Sequence, residues 1–339
     1  MRNEITPSDL LHLPYTPDLS EGGIAYACQA LACTYHPLGV APVTNLQRVA
    51  GAVAVELAFR RYLREKAIPF HVLTPTLFSR PDRYDISLGG HRCIVKSFLI
   101  TRQSQITQLQ RNPALLLQVP VLIPIDQFAA EGHKLEDLYL FAFFLGRVAA
   151  GQADVDKALA AGQPVYLIHP LPEAWVRPAN WGPLGKLALK SECGLPVTVE
   201  IGGQDAERTF LTARLELPSR QRVLVEQAFH SLAYIHMERR PDARIGIHCP
   251  VRGEPYIIAP HEWGTLWIYG TDILFTGWLT HEDFRRKARV LNAGAQTFQF
   301  DRTRVKNLLV PTSELNPLGL LLEKVRRWEA EKSQLNSSS

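Results

Sequence analysis

Pro81-Asp82-Arg83-Tyr84-Asp85-Ile86-Ser87-Leu88-Gly89-Gly90-His91-Arg92-Cys93-Ile94-Val95-Lys96 is the stretch on which the reading of this chain turns. Alternation along Arg83 to Leu88 sets Tyr84, Ile86 and Leu88 on one face of a strand and Arg83, Asp85 and Ser87 on the other. On the next run Arg92, Ile94, Lys96 and Phe98 share a face, with Cys93, Val95, Ser97 and Leu99 opposite. Gly89-Gly90-His91 between them reads as a glycine-containing hairpin loop. Such a hairpin can carry the Asp85 carboxylate and the Lys96 ammonium within reach of one another.

Upstream, Thr44-Asn45-Leu46-Gln47 has the form of a capping box and predicts a helix over about residues 45 to 66. That helix is apolar nearly all round between Val49 and Phe59, which suits a helix covered on most sides. Glu56 lies inside the run, and its helical neighbours are Val49, Ala52, Val53, Phe59, Arg60 and Leu63. A carboxylate so placed points toward protein and needs a partner: Arg60, a metal ion or Lys96. Phe70 to Leu73 adds a strand, Gln103 to about Asn112 a short helix ended by Pro113, and Leu138 to Val148 a strongly apolar strand. The order helix, three strands, helix, strand predicts a compact α/β unit with a mixed sheet.

Two carboxylates and a lysine are what phosphodiester hydrolysis uses. The acids hold Mg²⁺, the metal lowers the pKa of water and neutralises phosphate charge, and the ammonium orients the attacking water. This order and spacing resembles the PD-(D/E)xK nuclease superfamily, the restriction-endonuclease-like fold, over about residues 44 to 148. The resemblance implies a nuclease of restriction or defence type dependent on Mg²⁺ or Mn²⁺. It makes Glu56 the core-helix acid, Asp85 (or Asp82 of the Pro-Asp pair) the first metal ligand and Lys96 the motif lysine, with Asp85 and Glu56 holding the ion. The acid of the (D/E)xK tripeptide falls on Ile94, which cannot bind a cation. Three readings stay open: Glu56 or a polar group such as Gln103 completes the site, the nuclease fold has lost hydrolysis, or Asp85 and Lys96 are a plain cross-strand ion pair. The alternative of another class is a non-catalytic nucleic-acid-binding or assembly module. An interaction protein that never touches nucleic acid is a third.

With 339 residues, 46% of them hydrophobic, the chain exceeds the size at which one core usually stops growing. The expected division is an N-terminal arm over 1–43, the nuclease-like α/β domain over 44–190, a strand-rich α+β second domain over 191–332 and a disordered tail over 333–339. Strands are expected at Val197 to Ile201, Phe210 to Leu217, Leu232 to Met237, Ile245 to His248, Tyr256 to Ile258, Thr265 to Tyr269 and Ile273 to Leu279, then a short helix capped at Thr280. An internal echo is also visible, with 138–190 and 266–324 each running strand, helix, Ala-Gly turn, strand. A net charge of +4 permits a polyanionic partner without demanding one. Arg285, Arg286 and Lys287, with Arg302 and Arg304, are the candidate phosphate-tracking cations, DNA being expected over RNA. A homodimer or larger complex is left open. His236, His248 and His261 with Glu262 lack a ligand spacing, and the five cysteines lack a CxxC pair and read as buried thiols. With no leader and no apolar span of membrane length, the expectation is a soluble cytoplasmic protein.

Overall fold

The computed structural model describes residues 5–31, 42–72, 86–130, 132–149, 151–163 and 165–337. The chain begins β1 (Leu11–Pro14), α1 (Pro17–Leu31), α2 (Pro42–Glu65), β2 (His71–Val72), β3 (Ile86–Leu88), β4 (His91–Ile100), α3 (Gln103–Arg111), β5 (Pro120–Pro124), α4 (Ile125–Phe128) and β6 (Leu138–Val148). It continues α5 (Gln152–Ala160), β7 (Tyr166–Pro170), α6 (Glu173–Val176), β8 (Ala188–Ser191), β9 (Val197–Gln204), β10 (Phe210–Leu217), β11 (Arg222–Leu224), β12 (Ser231–Met237), β13 (Ile245–His248), β14 (Tyr256–Ile258) and β15 (Gly264–Leu266). It closes with β16 (Ile268–Thr280), α7 (His281–Lys287), β17 (Arg289–Leu291), β18 (Asn307–Pro311) and α8 (Leu318–Ser337). This is a mixed α/β protein with several sheets. Among the described residues no helix is long and apolar enough to cross a membrane.

The chain divides into two compact units, one of Met1–Gly22, Gly51–Arg147 and Tyr269–Ser339, the other of Gly23–Ala50 and Val148–Ile268. These bounds differ from the expected 44–190 and 191–332. The reason is hydrogen bonding: β16, expected in the second domain, is a sheet neighbour of β6 and pairs antiparallel with β1.

In the first unit a six-stranded sheet runs in the order β1-β16-β6-β4-β3-β2. β2, β3 and β4 form an antiparallel meander, and β4 lies parallel to β6 with Ile94 opposite Tyr139 and Lys96 opposite Phe141. Leu88 pairs with His91, so the β3–β4 turn is Gly89-Gly90 alone, at φ of 57° and 90°. Both glycines adopt the left-handed conformation of a two-residue hairpin turn, and a side chain on Gly89 would collide with Trp328 of α8. Residues Leu138 to Gly146 of β6 are all buried, which is why its apolar run does not alternate: both faces are covered. On one face Ile94, Phe98, Tyr139, Phe141 and Phe143 pack with Ile106 and Leu109 of α3 and with β5. On the other, Gly51 of α2 approaches Phe144 and Leu99, and Phe59 stacks on Phe275 at 4.8 Å. Each fully buried Phe here contributes about 1.5–3 kcal/mol relative to exposure. A three-stranded sheet, β17-β18-β5, completes the unit.

α2 starts at Pro42, not at Asn45. Proline at the first helical position loses no hydrogen bond and has its φ pre-set, so the helix begins a turn early and Thr44 lies within it.

The second unit has a five-stranded antiparallel sheet, β10-β9-β12-β7-β15, and a four-stranded sheet, β11-β8-β13-β14. Leu167, Val199, Ile201, Ile235 and Met237 from the first meet Leu189, Ile245, Ile247 and Ile258 from the second in one core, with Trp175 and Trp263. The two echoing segments diverge here: β6 and β16 are sheet neighbours, but β7 joins the five-stranded sheet and β18 the three-stranded one.

Candidate functional site

Asp85, and Asp82 as its substitute, lie outside the described residues. Lys96 is half-buried on β4, and its Nζ donates to Gln127 Oε1 at 3.0 Å. Gln127 is carried there by α4, the single turn that follows Pro124 at the end of β5. Ile94, two residues earlier on the same face, is 7% exposed within the apolar cluster of Phe98, Tyr139 and Phe141. Glu56 accepts from Arg60 Nη1 at 3.1 Å, one helical turn on. Its helix packs against the Leu99 and Phe144 face, opposite the face that Ile94 and Lys96 share. The sheet therefore separates Glu56 from Lys96, and the structure does not bring them together. Gln103 is exposed at the start of α3 and donates to Thr107 Oγ1 at 3.4 Å.

Among the described residues the members of this donor set are not brought together around one point. Hydrocarbon occupies the position of the tripeptide acid, and the helix carboxylate is paired on the other side of the sheet. Among the described residues no group of three or more His, Cys, Asp or Glu side chains is placed to hold a metal.

What surrounds Lys96 instead is a polar cluster that sequence spacing did not reveal. Asp137, 1% exposed just before β6, accepts from Arg92 Nε at 2.9 Å, Arg92 Nη2 at 2.7 Å and the Lys134 backbone N–H at 2.7 Å. His133 donates from Nε2 to the Gln127 carbonyl at 3.2 Å, and its Nδ1 lies 3.7 Å from Asp137. His281, at the start of α7, shares a 3.0 Å hydrogen bond between Nδ1 and the Tyr139 hydroxyl and stacks on Phe128 at 4.2 Å. Burial, then the neighbouring His133, pushes the His281 pKa below its ordinary value, so the imidazole is neutral at pH 7. The cations of this cluster are held by protein groups, and its evident work is to pin the segment between α4 and β6. Residues 92, 133, 137 and 281 share no motif. The one local hint was Asp137 directly ahead of an apolar strand, where a carboxylate must find a donor.

No family model, curated protein or solved structure matches this chain. What its residues can do is a matter of their own geometry.

The candidate phosphate-tracking cations all fall in the first unit. Arg285, Arg286, Arg302 and Arg304 are exposed, as are Arg289 and Lys306 beside them in sequence. Arg286 pairs with Asp283 one turn earlier, and Lys287 donates to the Glu314 carbonyl. A cleft of about 430 Å³ lies there, lined by Asp283, Arg286, Lys287, Glu314 and Asn316. Of the other candidates, His248 Nδ1 accepts from Arg222 at 3.2 Å, and Glu262 accepts the Ala259 backbone N–H at 2.6 Å, closing a turn. Cys93 is fully buried.

Proposed function

We propose that this chain is a degenerate relative of the PD-(D/E)xK nucleases, a nucleic-acid-binding or assembly protein of restriction or defence type that does not cleave through Mg²⁺. The observation that carries this reading is Ile94, buried in hydrocarbon beside Lys96, while Glu56 is paired with Arg60 across the sheet. The order α2, antiparallel β2-β3-β4, α3, then β6 parallel to β4 supports kinship with that fold. The exposed arginines of α7 and of the segment before β18 support a polyanionic partner, DNA being the expected one.

The test is incubation with linear and supercoiled DNA in Mg²⁺ or Mn²⁺, beside a binding titration at several salt concentrations. The expected result is intact DNA and an affinity that falls with salt. Reversing Arg285, Arg302 or Arg304 to Glu should lower the slope of log K against log salt by about 1 for each phosphate deprived of its cation. Metal-dependent cleavage abolished by Lys96→Ala or Asp85→Ala would overturn the non-catalytic reading. Ile94→Asp, which restores an acid to the tripeptide, asks how far the site has decayed.

A further inference from the structure

The five-stranded sheet of the second unit has one face in the core described above; its other face, covered around Tyr234 and Cys28, carries acidic residues along β9, β10 and the end of β12. Register places Arg214 of β10 opposite Glu200 of β9, Glu200 opposite His236 of β12, and Glu216 of β10 opposite Thr198. Glu238 follows β12 and pairs with Arg214 at 2.7 Å. Three carboxylates thus stand against one guanidinium on a chain whose net charge is +4. Phosphate would be repelled here, which sets this face apart from the arginines of the first unit.

A cleft of about 290 Å³ opens on this face, lined by Tyr166, Thr198, Glu200, Arg214, His236 and Glu238. One wall is aromatic, the Tyr166 and His236 rings lying 4.8 Å apart. The inner acid is fixed: Tyr234 donates its hydroxyl to Glu200 Oε1 at 2.9 Å. That reach depends on Gly202, over whose α-carbon the Tyr234 ring lies so closely that any side chain would collide with it. Glu200 Oε2 takes no hydrogen bond among the described residues. His236 Nε2 is buried with no hydrogen-bond partner there either. The Arg214–Glu238 pair is about two-thirds exposed on both sides, so it is a screened and exchangeable rim contact.

We propose that this cleft binds a planar organic cation, a guanidinium such as the arginine head group, with Glu200 accepting from its N–H groups and the Tyr166–His236 wall packing on its flat face. A guanidinium answers each feature. It brings charge to an acidic cleft, a fork of donors to a carboxylate oxygen that lacks one, and a π-face to aromatic rings. A lysine ammonium offers only the charge. Among the described residues His236 Nε2 has no hydrogen-bond partner, and a small side-chain adjustment that admits an N–H to it would supply one.

The test is isothermal titration calorimetry of the full chain with N-acetyl-L-arginine methylamide, beside the matching citrulline and lysine compounds and free L-arginine. The expected result is saturable binding of the arginine compound, with the neutral citrulline analogue at least about tenfold weaker. Glu200→Gln should erase that preference, and Tyr166→Leu should weaken the arginine compound while leaving charge untouched. Tighter binding of the blocked compound assigns the site to an arginine side chain of a polypeptide, and tighter binding of the free amino acid assigns it to a small molecule. Equal binding of arginine and citrulline compounds overturns the proposal, as does no binding up to about 10 mM, a Kd beyond which specific recognition has no content. Should Glu200→Gln fail to fold, the His236 ring proton in NMR spectra of the unaltered protein decides: it shifts on adding the arginine compound, or the proposal falls. DNA binding has no bearing on either outcome.

Discussion

The polar cluster around Lys96 in the first unit and the polar face around Glu200 in the second use the same residue types to opposite ends. In the first, both oxygens of Asp137 are taken by Arg92 and the Lys134 amide, Lys96 donates to Gln127 and His281 shares a bond with Tyr139, while His133 Nδ1 lies 3.7 Å from Asp137, beyond hydrogen-bond distance. In the second, Glu200 and His236 each keep an atom without a hydrogen bond among the described residues. A buried carboxylate whose two oxygens are both taken by donors holds structure in place, whereas one with an oxygen left over has capacity for a ligand. The residue types of a catalytic site, even beside a motif lysine, are therefore weaker evidence of function than what each carboxylate oxygen is already bonded to.

Substitution at the two carboxylates should separate the clusters most sharply. Asp137→Ala removes the carboxylate that takes two hydrogen bonds from a guanidinium itself three-quarters buried, and urea unfolding is expected to show a loss of about 3 kcal/mol. Glu200→Gln should cost less than about 1 kcal/mol in the same assay, since Tyr234 can still donate to the amide oxygen. A comparable loss at both sites would erase the distinction. Gly202→Ala should cost about 2 kcal/mol through overpacking against Tyr234 and should also abolish any arginine binding.

Acid should weaken both units, for one reason. His281 and His236 have pKa values below 6.5, in each case chiefly through burial. The unfolded chain therefore binds these protons at higher pH than the folded one. Stability is flat above pH 7 and falls as the pH drops through 6.5 toward the folded values. Urea midpoints at pH 7.5 and 5.5 check this, and His281→Gln or His236→Gln should flatten the dependence. The smallest expected effect is chemical: burial pushes the Cys28 thiol up to about 12, so iodoacetamide at pH 8 should leave it unmodified until the protein unfolds.

Local periodicity was enough to locate α2, β4, β6 and most strands of the second unit, because each has an apolar pattern longer than its neighbours' turns. The hairpin was legible with its turn drawn one residue too long, at Gly89-Gly90-His91, and Arg60 stood among three partners open to Glu56, with a metal ion and Lys96. What local pattern does not carry is which strands pair. β16 looked like one more strand of a strand-rich domain, and only its hydrogen bonds beside β6 and β1 assign it elsewhere. The sidedness of α2 was hidden for the same reason: a helix apolar nearly all round does not announce which face of a sheet it covers. Asp137, His133 and His281 were invisible as a group because residues 137 and 281 meet only once that distant pairing exists.

The adjacency of β6 and β16 also sets the order in which the chain can be completed on the ribosome. β6, apolar on both sides, is synthesised with its neighbour still unmade, and residues 149–267 must follow before β16 can arrive. Until then it exposes an unpaired edge of the kind that recruits other nascent chains. Truncation before residue 268 should accordingly yield insoluble protein, however well the strands made in between fold by themselves.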